Sequence, residues 1–156
     1  MIRPAQARDE SAIRECAEQA YARYVPAIGR KPAPMLADFA AQIAAGVVYV
    51  ATDEHGTFQG FVVFYLEDGY LLLENVAVLP SAAGQGVGKS LISFCEDTGR
   101  QLGMSTVQLY TNEKMTENLA IYPRLGYVNV GRRTEDGFNR VYFEKRLVAS
   151  TPSTSD

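Results

Sequence analysis

The sequence has no tryptophan, one histidine and only two cysteines, and these absences exclude several classes of site. Two cysteines are too few for a disulfide framework or a cysteine-rich zinc site, and Cys16 and Cys95 both fall in helical patterns as small buried residues. His55 lies in the turn Asp53-Glu54-His55-Gly56, which predicts a surface residue rather than a catalytic one. We therefore predict a reduced, cytoplasmic protein without a metal site.

The chain also lacks an excess of positive charge and a long apolar run. Its net charge of −3 provides no basic face for nucleic acid and argues against an anionic membrane surface. No apolar run approaches the roughly 18 residues that cross a bilayer. The 156 residues, 47% hydrophobic and 21% charged, are typical of one globular domain. We assign that domain to residues 1–148 and expect the Ser/Thr/Pro-rich segment 149–156 to be disordered.

Hydrophobic patterning predicts the element order β-α-α-β-β-β-α-β-α-β-β. Helices are expected over 10–24, 35–45, 89–102 and 116–124, with an irregular, proline-rich segment over 24–34. Strands are expected over 2–5, 47–52, 57–66, 70–79, 105–110, 127–132 and 140–147. Since the strands run in pairs and only one crossover is clearly βαβ, we predict an α/β (α+β) fold. Its central sheet is mixed, mostly antiparallel and about seven-stranded, with helices on both faces.

The most informative segment is the glycine-rich stretch 79–91, which lies between a predicted strand and a predicted helix. Three glycines at alternate positions allow a tight turn, and the N-terminus of the helix adds unpaired amides that suit a phosphate. One alternative is a P-loop nucleotide-binding protein, because Ala83-x4-Gly88-Lys89-Ser90 satisfies the loose P-loop pattern. That alternative requires a later strand ending in a magnesium-holding Asp, whereas the only strand available ends in Thr111-Asn112.

The same segment resembles motif A of the GCN5-related N-acetyltransferases. The motif pattern Gln/Arg-x-x-Gly-x-Gly/Ala falls on residues 83–88, with Ala83 in place of Gln or Arg. Residues 118–127 resemble motif B of this family, whose usual ending Tyr-x-Lys-x-Gly-Phe/Tyr falls on 122–127 with Arg124 in place of Lys. The predicted element order also matches the family fold from residue 2 to residue 147. The resemblance implies an acetyl-CoA-dependent enzyme that transfers an acetyl group directly to a primary amine of a small molecule or protein.

The resemblance implies roles for individual residues. Tyr122 aligns with the tyrosine that protonates the departing thiolate in many members, and a phenol suits that task. Backbone groups of Val76 and Val78 are expected to hold the pantetheine arm, and one of their amides to polarise the acetyl carbonyl. The loop and helix amides are expected to bind the pyrophosphate. The full set of expected cofactor-binding residues is Val76, Ala77, Val78, Ala83, Gly84, Gln85, Gly86, Val87, Gly88, Lys89, Ser90 and Asn118.

Glu74 is the candidate general base. It interrupts an apolar strand and shares strand parity with Val76 and Val78, so it is expected on the face that carries their side chains. From there its carboxylate would deprotonate an ammonium group through water. A solvated or salt-bridged side chain is the alternative, and a relay of waters could serve as the base instead.

Acceptor recognition is expected in residues 21–35 and in the final hairpin. Tyr21, Tyr24, Arg30 and Lys31 form an aromatic and basic cluster suited to a pocket, although a plain surface loop is equally consistent with the pattern. The charged hairpin end 132–136 is expected to be solvated. The exposed edges of the sheet favour a homodimer. A noncatalytic acyl-CoA-binding module, which keeps the loop but lacks turnover, is a further alternative.

Overall fold

A computed structural model describes residues 1–148, so the predicted disorder of 149–156 lies outside the described residues. Seven strands form one sheet in the order β1-β2-β3-β4-β5-β7-β6. Every neighbouring pair is antiparallel except β4 and β5, which are parallel. This confirms the predicted mixed, mostly antiparallel sheet. The strands are β1 Ile2–Pro4, β2 Val48–Thr52, β3 Phe58–Glu67, β4 Tyr70–Val78, β5 Thr106–Asn112, β6 Val128–Glu135 and β7 Phe138–Arg146.

Helices cover both faces of the sheet and divide the core into two clusters. The helices are α1 Glu10–Tyr21, α2 Val25–Ile28, α3 Phe39–Ala44, α4 Val87–Gln101 and α5 Thr116–Arg124. One cluster packs α1 and α3 against the sheet through Ile13, Cys16, Phe39, Phe61, Val63 and Ala77. The other packs α4 and α5 against the opposite face through Leu71, Leu73, Leu91, Cys95, Leu109 and Tyr122. Both cysteines are free and buried, as the helical patterns predicted. Within residues 1–148, no helix is long and apolar enough to cross a membrane.

Several element boundaries differ from those predicted, including those of α4, which begins at Val87 rather than at residue 89, and of β5, which continues to Asn112. Helix α1 ends at Tyr21, and one short helical turn, α2, forms inside the segment predicted to be irregular, because Pro26 sits in its first turn, where no amide hydrogen is needed. Helix α3 begins after Asp38 rather than at residue 35, since the Asp38 carboxylate accepts a hydrogen bond from the Ala41 amide and caps the helix. Strands β6 and β7 extend to the turn at Asp136-Gly137, beyond their predicted ends.

Strands β4 and β5 separate almost as soon as they meet. Their register contains only the pairs Leu71 with Val107 and Leu72 with Gln108. Beyond Leu72, β4 continues beside β3 while β5 continues beside β7. The sheet therefore opens between β4 and β5 toward their carboxyl ends, and the edge of β4 that faces the opening has no neighbouring strand.

A buried ionic group ties α4 to the C-terminal strands. The Glu96 carboxylate, whose side chain is 9% exposed, accepts hydrogen bonds from the Lys145 ammonium at 3.0 Å and the Tyr127 hydroxyl at 2.9 Å. Because both oxygens are satisfied, the charge is tolerated inside the protein. Loss of the cation would leave a buried carboxylate without its counter-charge, which is costly.

We expect Lys145→Met to lower the free energy of unfolding by about 3 kcal/mol, because it leaves Glu96 unpaired in the core. Arg146→Met is the matched control: it removes a positive charge from the next, exposed position and should change the value by less than about 0.5 kcal/mol. Urea unfolding followed by circular dichroism measures both. Equal destabilisation by the two variants would show that the ion pair between Lys145 and Glu96 makes no specific contribution to the free energy of unfolding.

Candidate active site

The opening between β4 and β5 leads into a long groove and a narrow cavity. The groove runs between the end of α1, the N-terminus of α4 and helix α5, and its volume is about 710 Å³. The cavity lies between β4, β5 and β7 under the segment 32–34, and its volume is about 40 Å³. The two share four lining residues: Tyr21, Val76, Asn118 and Tyr122.

The glycine loop closes one end of the groove. Gly84 and Gly86 both have φ of +79°, a conformation that side-chain-bearing residues rarely adopt, and Gly86 is the N-cap of α4. The first α4 hydrogen bond runs from the Ser90 amide to the Gly86 carbonyl at 3.0 Å. Within the described chain, the amides from Gly84 to Lys89 donate to no backbone carbonyl. They form a cluster of free donors at a helix N-terminus, which favours an anion.

The structure does not bring all the predicted loop residues into the groove. Ala83, Gly88 and Lys89 line it, together with Val76, Ala77 and Val78 from β4 and Asn118 from α5. Gly84, Gln85 and Gly86 form the exposed turn beyond this lining, and the Val87 side chain is buried in the core. Ser90 lies on the other side of α4, beside Ile2, with its amide already bonded.

Backbone groups of β4 point into the opening. The Leu79 amide donates to the Gln59 carbonyl on the β3 side at 2.9 Å. Since hydrogen-bonded and non-hydrogen-bonded pairs alternate along an antiparallel ladder, Val78 and Val76 occupy non-hydrogen-bonded positions. Their N–H and C=O groups therefore point away from β3, toward β5. The Tyr21 hydroxyl reaches this edge and donates to the Val76 carbonyl at 2.9 Å.

A β-bulge in β4 overturns the predicted orientation of Glu74. Val63 pairs with Asn75 and Phe64 pairs with Leu73, so Glu74 is an extra residue without a partner on β3. The extra residue shifts the alternation of side chains by one position. Leu73 packs against α4 and α5, whereas Glu74 and Asn75 both lie on the face of α1 and α3.

Glu74 therefore does not share a face with Val76 and Val78, and the prediction that it does is wrong. Its carboxylate accepts hydrogen bonds from the Tyr65 hydroxyl and the Gln42 amide, both at 2.6 Å. It is half-buried and lines the narrow cavity, as does the neighbouring Val76. Glu74 alternates regularly with Leu73, and the bulge turns the Val76 and Val78 side chains onto the opposite face, a change that strand parity alone did not predict.

Tyr122 lies where the groove and the cavity meet. Its ring packs against Tyr127 and Phe143 with centroids 5.7 and 5.8 Å away, and the residue is buried. Burial raises the pKa of its hydroxyl, so the phenol stays protonated at neutral pH. Within residues 1–148 this hydroxyl makes no hydrogen bond, although it lines both spaces.

Comparison with known proteins identifies the family. The model of the acetyltransferase (GNAT) family matches residues 12–127, about three quarters of the chain. The chain belongs to the acetyltransferase (GNAT) family. The predicted resemblance is confirmed, and nothing in the comparisons favours the P-loop alternative.

Individual relatives of this GNAT chain are distant. An IAA acetyltransferase from Azospirillum brasilense is 29% identical over 72 residues, which is 46% of this chain and 47% of that protein. An aminoalkylphosphonate N-acetyltransferase from Salmonella typhimurium is 34% identical over 55 residues, 35% of this chain and 36% of that protein. The chain thus spans under half the length of these relatives. A PaiA N-acetyltransferase from Thermoplasma acidophilum, in complex with coenzyme A, shares the fold with a TM-score of 0.77 at 16% identity, covering 94% and 98% of the two chains.

The GNAT chain carries site residues that the sequence patterns missed. Tyr21 was expected only as part of a loop cluster, yet the single proton of its buried hydroxyl is shared between the Val76 carbonyl and the Asn75 amide oxygen, which lies 2.8 Å away. Asn75 in turn donates to the Pro34 carbonyl and so fixes the segment above the cavity. Arg140 and Asn112 line the cavity as well, although no motif indicated them. Of the expected acceptor cluster, Tyr24 lines the groove, while Arg30 and Lys31 are exposed outside both spaces.

The two tyrosines at the junction should respond differently to removal of their hydroxyls. Tyr21→Phe should lower the free energy of unfolding by about 1 kcal/mol, because it leaves the buried Asn75 and Val76 oxygens without their donor. Tyr122→Phe should change it by less than about 0.5 kcal/mol, because no described residue depends on that hydroxyl. Chemical unfolding of both variants tests this. A Tyr122→Phe protein as destabilised as Tyr21→Phe would give the Tyr122 hydroxyl a structural role.

Proposed function

We propose that this protein is an acetyl-CoA-dependent N-acetyltransferase that transfers the acetyl group directly to a primary amine. The observation that carries the proposal is the junction of the groove and the cavity at Val76 and Tyr122. The groove offers free amides at one end and a free strand edge at the other, while the cavity offers a carboxylate. A long phosphate-bearing thioester and a small amine can therefore meet at one point from two sides.

The groove fits coenzyme A in chemistry as well as in length. The amides from Gly84 to Lys89 are unpaired donors for the pyrophosphate, and the Lys89 side chain adds a positive charge beside them. The N–H and C=O groups of Val76 and Val78 suit the amides of the pantetheine arm, which would extend β4 as a short extra strand. Ala77, Ala83 and Asn118 complete the walls. When bound, acetyl-CoA supplies the activated acetyl group.

The protein's own groups then serve the transfer in three ways. Glu74, reached from the cavity, accepts a proton from the acceptor ammonium directly or through a water, so that the neutral nitrogen can attack the thioester carbonyl. A β4 amide at the opening donates to the carbonyl oxygen as it gains negative charge. As the C–S bond breaks, the Tyr122 hydroxyl donates its proton to the sulfur. The positively charged nitrogen of the intermediate then releases its second proton to water in the groove, and water returns a proton to the phenolate.

We also propose that the protein is cytoplasmic and that it forms a homodimer. Strand β6 is the last strand of the sheet, and its Val128 and Val130 side chains are exposed. A second copy of the chain would cover such an edge. The acceptor is proposed to be an amine rather than a nucleic acid, in keeping with the net charge of −3.

Ligand binding separates the proposal from its main alternative. We expect acetyl-CoA and CoA to raise the melting temperature of the protein, because the free loop amides and the β4 edge gain partners. Mg-ATP at the same concentration should produce no more than a small part of that shift. Differential scanning fluorimetry with the three ligands measures this. Stabilisation by Mg-ATP alone would favour a nucleotide-binding protein and contradict the proposal.

Turnover separates an enzyme from a noncatalytic acyl-CoA-binding module. Tyr122→Phe should lower kcat about 100-fold, since a positioned general acid typically contributes 10²–10⁴-fold, and should leave the KM for acetyl-CoA nearly unchanged. Tyr70→Phe is the matched control, because Tyr70 starts β4 outside both spaces. Release of CoA thiol in a panel of amines provides the assay. Absence of thiol release across the panel, with acetyl-CoA bound, would indicate the noncatalytic module.

Glu74→Gln should lower kcat about 10- to 100-fold while keeping the hydrogen bond from Tyr65, because the amide retains an oxygen acceptor but cannot take up a proton. Glu67→Gln, an exposed change at the end of β3, controls for the loss of one negative charge. Steady-state kinetics with a saturating amine measures kcat for Glu74→Gln and for the control Glu67→Gln. A Glu74→Gln enzyme with full activity would assign the deprotonation to a water relay.

A further inference from the structure

Arg140 is a largely buried cation with few hydrogen-bond acceptors among residues 1–148. Its side chain is only 11% exposed, and its guanidinium lies 4.5 Å from the Tyr110 ring centroid and 5.6 Å from that of Phe138. Among residues 1–148 its one hydrogen bond is a long contact of 3.3 Å to Glu135 Oε1. A guanidinium has five N–H donors, so most of them have no acceptor in the described protein.

The carboxylate beside Arg140 is not fully available to it. The same Glu135 oxygen also accepts a hydrogen bond from the Tyr142 hydroxyl, and the Glu135 side chain is 37% exposed at the rim. Solvent therefore screens the pair on its outer side. Arg140 also lines the narrow cavity together with Tyr110 and Phe138, the two rings against which its guanidinium lies. The aromatic rings hold it in place without occupying its donors.

Asn112 supplies a second free donor directly across from Arg140. The two residues are register partners on β5 and β7, and both line the cavity. Asn112 is 9% exposed, and its side-chain oxygen accepts a hydrogen bond from the Lys114 amide at 2.9 Å. That bond fixes the orientation of the side-chain amide. Its NH₂ group has no acceptor among the described residues and is left for the cavity.

The opposite wall of the cavity carries the negative group. Glu74 lines the same space with both oxygens already hydrogen-bonded, and Tyr110 lies between the two charges. Burial raises the pKa of the Tyr110 hydroxyl; Arg140 opposes that shift and Glu74 adds to it, so both charges act on one phenol. The narrow space holds only a few waters, at roughly 10–15 Å³ for each.

We infer that the acceptor is a small amine that carries an anionic group, a carboxylate or a phosphonate, bound by Arg140 and Asn112 while the amine lies toward Glu74. The inference rests on the proposed function and specifies its acceptor class. Arg140 fits either anion, because its planar fork donates two parallel hydrogen bonds to carboxylate or phosphonate oxygens. Because the amine and the anionic group would contact residues of different strands, the length of the acceptor between them is expected to affect selection.

Matched acceptors test the inference. The probes are 3-aminopropanoate, 2-aminoethylphosphonate and the neutral amide 3-aminopropanamide, which differs from the first only in losing its charge. We expect the wild-type kcat/KM for an anionic probe to exceed that for the amide about 10- to 100-fold, the effect of one or two hydrogen bonds to a charged group. The two anionic probes distinguish a preference for carboxylate from one for phosphonate.

Variants assign the preference to the proposed residues. Arg140→Gln should reduce the ratio of kcat/KM for the anionic probe to kcat/KM for the neutral amide probe to about one. Asn112→Asp should reduce this ratio as well, because it retains an acceptor for the Lys114 amide but replaces the side-chain donor by a negative charge. Arg146→Gln removes a charge from an exposed position of the same strand and should leave the ratio unchanged. A wild-type ratio near one, or a ratio unaffected by Arg140→Gln, would overturn the inference.

A separate binding experiment distinguishes failure of the proposed function from failure of this inference. If none of the three amines releases CoA thiol, calorimetric titration of 3-aminopropanoate and 3-aminopropanamide into the CoA-saturated protein tests the anion site by itself. Tighter binding of the anion that is lost in Arg140→Gln supports the inference without turnover. Equal binding of the two probes, or undetectable binding of both, overturns it.

Discussion

The separation of β4 from β5 is the constraint on which the rest of the site depends. A strand edge in the middle of a seven-stranded sheet is left without a neighbour, and unpaired backbone groups shielded from water are costly. Among the described residues, the Tyr21 hydroxyl satisfies one of these groups, the Val76 carbonyl. The remaining groups stay available to a ligand. Binding at this edge therefore gains hydrogen bonds that folding has left unmade.

The bulge at Glu74 adapts the same strand to two tasks. Before the bulge, β4 contributes Leu71 and Leu73 to the core beneath α4 and α5. After it, Val76 directs its backbone toward the opening, while Glu74 and Asn75 face the α1 side. One extra residue thus places a carboxylate on one side of the junction and free amides at its edge. Regular alternation from Leu71 and Leu73 would have put Asn75 into the apolar cluster beneath α4 and α5, where an unpaired polar side chain is costly.

The sequence predicted those parts of the site that are coded locally. The glycine loop, its helix and Tyr122 each lie within a short motif whose spacing defines the geometry, and the strand order followed from hydrophobic patterning. Glu74 was identified as a residue, but its face was not, because nothing in the run around it signals an extra residue. Bulges arise from the pairing of two strands, which the pattern of one strand does not contain.

Arg140 and Asn112 escaped prediction for a related reason. They become neighbours only through the pairing of β5 with β7, and each alone reads as an ordinary polar residue near a turn. One signal was present: Phe138, Arg140 and Tyr142 alternate along β7, so the arginine shares its face with two aromatic residues. An arginine between aromatic residues on one strand face indicates a half-buried cation rather than a solvated one.

The burial of Arg140 beside the cavity is better explained by recognition of an anion than by stability. Partial removal of a guanidinium from water is costly, and stacking on Tyr110 and Phe138 offsets only part of that cost. Glu135 offers one long hydrogen bond on the solvent side, and Tyr142 shares the same oxygen. The pair is thus too weak to explain the placement by stability alone. A cation retained at such cost beside a free amide donor is what recognition of an anion requires, since the protein has met the desolvation penalty before the ligand arrives.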